Sequence, residues 1–552
     1  MPASSRTIDT RQRCLLSNGS YSVMLSASGS GYSRWRELAV NRWREDPTGE
    51  SWGSYLLLRD EDNAESWSAT QQPYGTRTPD DAVAFSTGRA TFSRRHHSVH
   101  SVLDIAVACD ADIELRRLIL SNHGDRTRTL SLTSYAEMVL GPIAADNAHP
   151  AFSKMFVQTE WDAAAGLLFA TRRRRDSKEA EMWVAQALQI EGQDNAAAAG
   201  YESDRARFLG RTRTLRDAVA MQADTPLSNT VGCVLDPVFS LRQHFILAPG
   251  ASVTLLLWTQ VADTRAGAGA LTARLRDTSA AARLFDDATN HAEAEQQRLA
   301  VDTAQATRFA HWMSALLCND PEQRAAPAAL MQGRGGPPTL WAAGISGDRP
   351  ITLLRVDDLQ ALPRVEDVLL AQIDWRSRQL AVDVVLLNVA GGAAADALQA
   401  ELEPLANAQQ ARLKADEHAP KAELFLLRDD GISAELRDGL LTAARLLPDE
   451  ASPAPAATSA GDSVATPPAI RATSRMDEVV ATTDADFEFA NGIGAFTQSG
   501  RAYRIDLGDG RSTPAPWINV IANPTFGFLV SADGGGYAWS LNSQRRLCLR
   551  RL

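Results

Sequence analysis

The stretch Leu16-Ser17-Asn18-Gly19-Ser20-Tyr21-Ser22-Val23-Met24-Leu25-Ser26-Ala27-Ser28-Gly29-Ser30-Gly31-Tyr32-Ser33-Arg34-Trp35 sets the fold class. Its pattern returns near the other end as Ile521-Ala522-Asn523-Pro524-Thr525-Phe526-Gly527-Phe528-Leu529-Val530-Ser531-Ala532-Asp533-Gly534-Gly535-Gly536-Tyr537-Ala538-Trp539. Without gaps, Asn18 falls on Asn523, Tyr21 on Phe526, Ser26-Ala27 on Ser531-Ala532, Gly29 on Gly534 and Gly31-Tyr32 on Gly536-Tyr537. A pattern that occurs twice marks a duplicated structural unit, not a solenoid. Each copy runs from an Asn turn into a short apolar strand, a glycine-rich loop, and then aromatic or basic side chains. Glycines there admit close backbone approach. Two readings of the aromatic groups are open: they stack on the C–H faces of a sugar while Arg or Asn bonds its hydroxyls, or they cap the core of a β-hairpin.

From Arg13 to about Val261 the pattern is that of strands. Val102–Val107 and Ile113–Leu120 are followed by the turn Ser121-Asn122-His123-Gly124-Asp125 and by Arg128–Tyr135. Strand, turn, strand at short spacing predicts an antiparallel sandwich. Helix formers dominate residues 268–318, where Phe309, Trp312, Met313, Leu316 and Leu317 recur at helical spacing. Residues 339–450 alternate strand and helix, which predicts a small sheet covered by helices. Residues 448–475, rich in Pro, Ala, Ser and Thr, read as a flexible linker.

The Gly-rich loop with Tyr32-Ser33-Arg34-Trp35 and Asn41-Arg42-Trp43 resembles the N-terminal β-supersandwich of the cellobiose- and chitobiose-phosphorylase family, formerly glycosyltransferase family 36. From about Cys14 to Asn542 the chain resembles the region of bacterial cyclic β-1,2-glucan synthases in which that sandwich occurs twice. In the second copy the resemblance is carried by Phe489–Phe496, Tyr503-Arg504-Ile505 and Thr513–Asn519. The expected architecture is mainly β: an antiparallel β-supersandwich at 13–265, a helical linker at 266–335, a small α/β module at 339–450, a flexible linker at 451–485 and the start of a second β-sandwich at 486–552. The resemblance implies glucan or another oligosaccharide as ligand, contacted by Gly31, Tyr32, Arg34, Trp35, Asn41, Arg42 and Trp43 and, in the second copy, by Gly536, Tyr537 and Trp539. It also implies contact with further domains of a larger synthase. In the resembled family the catalytic acid lies in an (α/α)₆ barrel downstream of the sandwich. No twelve-helix stretch occurs in this sequence, so no catalytic residue is assigned, and binding without turnover is expected. The basic run Arg545–Leu552 stands where the family continues differently, and suggests a truncated or frame-shifted reading frame; residues 486–552 are expected to be poorly packed unless they dock on the first domain.

Composition narrows the classes. The 552 residues, 44% hydrophobic and 22% charged, suit soluble globular domains. A net charge of −11 argues against nucleic acid or an anionic membrane as partner. Five scattered cysteines without a CxxC fit reduced thiols in a cytoplasmic setting. No apolar run is long enough to span a bilayer.

Other motifs carry less. Asp348 in Gly344-Ile345-Ser346-Gly347-Asp348 reads as a polar turn; the same motif has its glycine one position early for a nucleophile elbow. Asp110-Ala111-Asp112 and Asp484-Ala485-Asp486 match a metal-holding DxD only in its three letters. His96 and His100 on one extended strand would stand about 13 Å apart, too far to share an ion, so no metal is expected; with no P-loop and no GxGxxG after a strand, no bound cofactor is expected either. Arg172-Arg173-Arg174-Arg175, followed by Asp176 and Glu179, reads as a solvated hairpin end.

Overall fold

A computed structural model describes residues 11–46, 49–176, 179–192, 200–333, 336–416, 419–448, 487–497, 499–507, 511–542 and 546–547. The linker at 451–485, the motif Asp484-Ala485-Asp486, Cys548 and most of the basic run 545–552 lie outside these residues. The chain divides into two compact units, Met1–Leu209 with Leu215–Ser459, and Gly210–Thr214 with Ala460–Leu552.

In the first unit the opening strands are β1 (Arg13–Ser17), β2 (Tyr21–Ser26), β3 (Gly31–Trp35), β4 (Leu38–Asn41), β5 (Tyr55–Asp60) and β6 (Ser66–Ser68). Then come β7 (Ala82–Ser86), β8 (Arg89–His96), β9 (Val99–Val107), β10 (Ile113–Asn122) and β11 (Arg128–Pro142). The sandwich finishes with β12 (Val157–Asp162), β13 (Leu167–Arg172), β14 (Trp183–Ile190), β15 (Gly200–Asp204), β16 (Pro237–Leu247) and β17 (Ser252–Ala262). One nine-stranded sheet runs β1-β2-β3-β4-β11-β16-β15, with β5 bridging β11 and β6; the facing eight-stranded sheet runs β12-β13-β14-β17-β10-β9-β8-β7. All pairings in both sheets are antiparallel.

Side chains alternate across a strand with period two, so each strand can serve two layers. On β2, Tyr21, Val23 and Leu25 enter the core between the sheets. Met24, on the opposite face, joins Leu15 and Tyr32 in a second core with Phe309, Trp312, Met313 and Leu316 of the helix Thr303–Cys318. The outer face of the eight-stranded sheet is covered in the same way: Leu115, Phe169 and Trp258 pack on Leu284, Phe285 and Ala288 of the helix Ala280–Arg298. The helical segment therefore covers one outer face of each sheet.

Beyond it, β18 (Ile351–Val356), β19 (Asp383–Asn388), β20 (Leu424–Arg428) and β21 (Ala444–Leu446) form a parallel sheet in the order β20-β19-β18-β21. Parallel neighbours require crossovers, and the helices Leu362–Ser377 and Ala393–Ala415 supply them. One face of this sheet shares the core that holds Met24 and Tyr32; the other packs Leu353 and Val385 on Leu340 and Leu440.

The second unit contains the hairpin of β22 (Gly494–Thr497) and β23 (Ala502–Ile505), then β24 (Ile518–Ala522), β25 (Phe526–Ser531), β26 (Gly536–Ser540) and β27 (Arg546–Leu547) in sequential antiparallel order. The repeat holds at the level of register. Leu25 pairs with Gly31 and Tyr21 with Trp35 in the first copy, and Val530 pairs with Gly536 and Phe526 with Ser540 in the second. The Asn18 side chain accepts the Tyr21 N–H at 2.8 Å, and that of Asn523 accepts the Phe526 N–H at 2.8 Å. The turn glycines Gly29 and Gly534 both have positive φ, +89° and +79°.

Candidate functional site

Gly31 and Gly536 owe their identity to one physical cause. A Cβ at Gly31 would lie 1.9 Å from the Met24 carbonyl oxygen, and one at Gly536 would lie 2.1 Å from that of Leu529. Neither contact is possible, so both glycines serve the hairpin itself.

The aromatic and basic residues of the first copy come together around the β3–β4 hairpin, mostly inside the protein. Tyr32 is buried, edge-on to Trp43 with ring centroids 5.5 Å apart. The Arg34 guanidinium lies 4.0 Å from the centre of the Tyr32 ring on the half-exposed side. Trp35 points to the other face, into the sandwich core, and its indole N–H donates to Asp112 at 2.6 Å. The side chain of Asn41 is buried and accepts the Ser33 N–H at 2.6 Å. Behind Trp35, Glu114 accepts from Tyr21 at 3.1 Å and Ser33 at 2.6 Å, and Arg116 donates to it at 2.6 Å. This carboxylate ties the nine-stranded sheet to β10.

Arg42 is enclosed by carboxylates. Its Nε and Nη2 donate to the two oxygens of Asp146 at 2.9 Å each, and its Nη1 donates to Glu137 at 2.7 Å. The other oxygen of Glu137 accepts from Arg205 at 2.6 Å and from Tyr135 at 3.1 Å. Burial alone would raise the Glu137 carboxyl, but the Arg205 and Arg42 guanidiniums outweigh it and hold the group below its ordinary range. A bidentate, buried Arg of this kind is held in place by its partners. The space left among Tyr32, Arg34, Asn41, Arg42, Trp43 and Asp146 is about 10 Å³, the size of one water.

Trp43 is half-buried, and a larger cleft of about 480 Å³ lies against it. Ser26, Ser30, Arg44, Glu45, Glu50, Asn319 and Asp320 also line the cleft, so β1, β2 and the loop after it, the segment after β4 and the end of the helix Thr303–Cys318 all contribute. Its carboxylates are oriented: Arg13 donates to Glu50 at 2.5 Å, and Arg445 holds Glu45 through two bonds of 2.9 Å. Arg44 lies over the Trp52 ring at 5.5 Å. Of the residues singled out in the sequence, only Trp43 lines both this cleft and the small void. Asn319 and Asp320 carry no local motif, and only the packing of the helix on β1 brings them here.

In the second copy Tyr537 and Trp539 are half-buried neighbours with ring centroids 5.6 Å apart, and Gly536 is exposed. They occupy the positions of Tyr32 and Arg34. The residues that bond Asp112 and Glu114 in the first copy, Tyr21, Ser33 and Trp35, are matched here by Phe526, Ala538 and Ser540.

The remaining motifs have local partners. Asp112 accepts from Trp35 and from Asn18, and Asp110 pairs with Arg274 at 2.6 Å, so Asp110-Ala111-Asp112 is occupied by side chains. Asp348 is exposed in a turn, its N–H donating to Ser346 Oγ at 3.2 Å. Arg174 and Arg175 pair with Glu181 and Glu179 at the hairpin end. His100 bonds Ser93 at 2.9 Å and stands apart from His96, whose ring instead meets that of His97. Among the described residues no helix is long and apolar enough to cross a membrane, and Cys14, Cys109, Cys233 and Cys318 are free thiols.

Comparison with known proteins agrees with this geometry. The chain is 33% identical to the cyclic beta-(1,2)-glucan synthase of Rhizobium meliloti over 97% of its own length and 19% of that protein's. It is 24% identical to the N,N'-diacetylchitobiose phosphorylase of Vibrio proteolyticus over 42% of this chain and 28% of that one. It therefore spans less than a third of the length of either relative. Among solved structures, a bacterial glucoamylase complexed with acarbose aligns over 58% of this chain and 42% of its own, at 8% identity and a TM-score of 0.32, too low to bear on the fold. The profile of the glycosyl hydrolase 94 supersandwich domain matches residues 4–278 and 501–550, which takes in the sandwich and most of its echo. By that match the chain belongs to the glycosyl hydrolase 94 supersandwich family.

Proposed function

We propose that this chain is a glucan-binding segment of a cyclic β-1,2-glucan synthase-like protein, and that it holds the sugar chain without turning it over. The observation that carries the reading is the cleft beside Trp43. Its volume of about 480 Å³ falls in the usual range of small-ligand sites, about 300–1,000 Å³. It sets one half-exposed indole beside fixed carboxylates, serines and an asparagine. An aromatic face and oriented hydrogen-bonding groups are what a neutral, hydroxyl-rich ring needs. The names of the two relatives, a glucan synthase and a chitobiose phosphorylase, support a β-linked saccharide as the ligand class.

The test is calorimetric titration of linear β-1,2-glucan into the purified chain, with phosphate present and glucose 1-phosphate assayed in parallel. The expected result is saturable heat without release. Trp43→Ala should weaken binding at least about tenfold, about 1.4 kcal/mol, in a variant that circular dichroism shows still folded at the titration temperature, since Trp43 also packs on Tyr32 and the core behind it. Release of glucose 1-phosphate would overturn binding without turnover.

A second reading is a scaffold whose aromatic and basic residues only build the sandwich. The burial of Tyr32, Trp35, Asn41 and Arg42 favours it for those four residues. Absence of any glucan heat from a well-folded chain would select it for the whole segment.

A further inference from the structure

Two hairpin tips from different sheets meet at one edge of the first unit. The β8–β9 hairpin turns through His97 and Ser98, with His96 pairing Val99 and His97 at φ +50°. The β5–β6 hairpin ends at Glu65, one residue before β6. Glu65 Oε2 lies 3.0 Å from His97 Nε2 and 3.5 Å from His96 Nε2, and the three ligand atoms all fall within 4.8 Å of one another. Ligand atoms on a tetrahedral zinc with bonds of about 2.0–2.2 Å stand roughly 3.3 Å apart, so the three already sit near the required spacing.

A simple Glu65–His97 ion pair accounts for only part of this arrangement. His96 Nε2 is shut off from solvent, and its polar neighbour is Glu65 Oε2 at 3.5 Å, a long contact to an oxygen that His97 Nε2 approaches more closely, at 3.0 Å. Such a group costs free energy unless something binds it. The His96 ring is held in place by stacking on Trp67, with centroids 4.3 Å apart and planes 16° apart. The ring is thus oriented with Nε2 toward a carboxylate oxygen that it reaches only at long range and shares with His97.

We propose that Glu65, His96 and His97 form a binding site for a zinc-like divalent transition-metal ion that clips the nine-stranded sheet to the eight-stranded one. Two imidazoles and one carboxylate make a ligand set suited to zinc and its neighbours, and the exposed side of His97 leaves a fourth position for water. Magnesium and calcium, which need six or more oxygens, are excluded by the same set. The sequence conceals this site because spacing along the strand sets His96 against His100. The hairpin turn supplies His97, and Glu65, 32 positions before His97, supplies the other partner.

The experiment is calorimetric titration of zinc chloride into the full chain, stripped of metal and carrying no polyhistidine tag, with thermal melting in parallel. One zinc per chain and a zinc-dependent rise in melting temperature are expected; magnesium chloride should give neither. Glu65→Gln, His97→Asn (which tolerates the positive φ) and His96→Phe (which keeps the stacking on Trp67) should each weaken zinc binding by about tenfold or more. His100→Ala should leave it unchanged. The exposed Glu65 and His97 variants keep the test open even if His96→Phe fails to fold. No stoichiometric zinc uptake, or parental affinity in both Glu65→Gln and His97→Asn, would overturn the proposal.

Discussion

Glu137 shows how one side chain organises its surroundings. It is shared by Arg42 and Arg205, with Asp146 completing the bidentate hold on Arg42. Replacing a buried charge that two guanidiniums depend on leaves them short of a partner, so Glu137→Gln should cost about 3–5 kcal/mol. A drop in the urea midpoint at unchanged slope would show it; a midpoint equal to that of the parent would contradict the argument. The acid dependence has a definite sign. The folded-state pKa of Glu137 is lowered from 4.5, so its contribution is fully present above pH 4.5 and disappears as pH falls through the lower folded value. The parent should therefore lose stability below about pH 4.5, and Glu137→Gln should lose less over the same window. The same network answers what Arg42 does. Its pairing in the sequence with Asn41 and Trp43 suggested sugar contact, but its hydrogen-bonding capacity goes to carboxylates 95 and 104 residues away.

The hairpin of β2 and β3 is the element most completely encoded locally. The turn asparagine, the positive-φ glycine and the glycine facing a carbonyl recur in β25 and β26 with the same register. Because the obstacle at Gly31 is backbone, it cannot move aside as a side chain would. Gly31→Ala should therefore force the strands apart and destabilise the first unit by about 1–3 kcal/mol or more. Ala27→Gly, in the same loop, should cost less; equal effects on thermal melting of the two variants would refute the steric account. Alternation on β2 was equally legible, because strand periodicity assigns Val23 and Met24 to opposite faces. It could not say what covers each face. That Met24 meets Trp312 and the α/β sheet depends on chain hundreds of residues downstream.

At the scale of the whole molecule, the two copies share a sequence pattern and differ in what covers them. Leu16, Tyr21, Val23 and Leu25 are buried in one core, whereas their counterparts Ile521, Phe526, Phe528 and Val530, which share one face of the second copy, are 37–47% exposed. Contiguous apolar surface of this kind promotes association. Light scattering should rise with protein concentration, and Ile521→Thr with Phe528→Thr, a directly paired couple on that face and both compatible with strands, should reduce it without changing glucan binding; undiminished scattering would rule this face out as the cause. The sequence by itself determined the repeated pattern, the antiparallel sandwich and a small sheet covered by helices, because turns, periodicity and helix formers act over a few residues; that this sheet is parallel, and that the two hairpins share a register, came from the structure. Only the tertiary structure decided which of the aromatic and basic residues face a cleft and which are locked inside. Asp112, Glu137, Asp146 and Glu65 reach partners far away in sequence through tertiary packing, and the helix packed on β1 carries Asn319 to the cleft. A side chain's freedom to bind a ligand depends on whether such distant partners already occupy it.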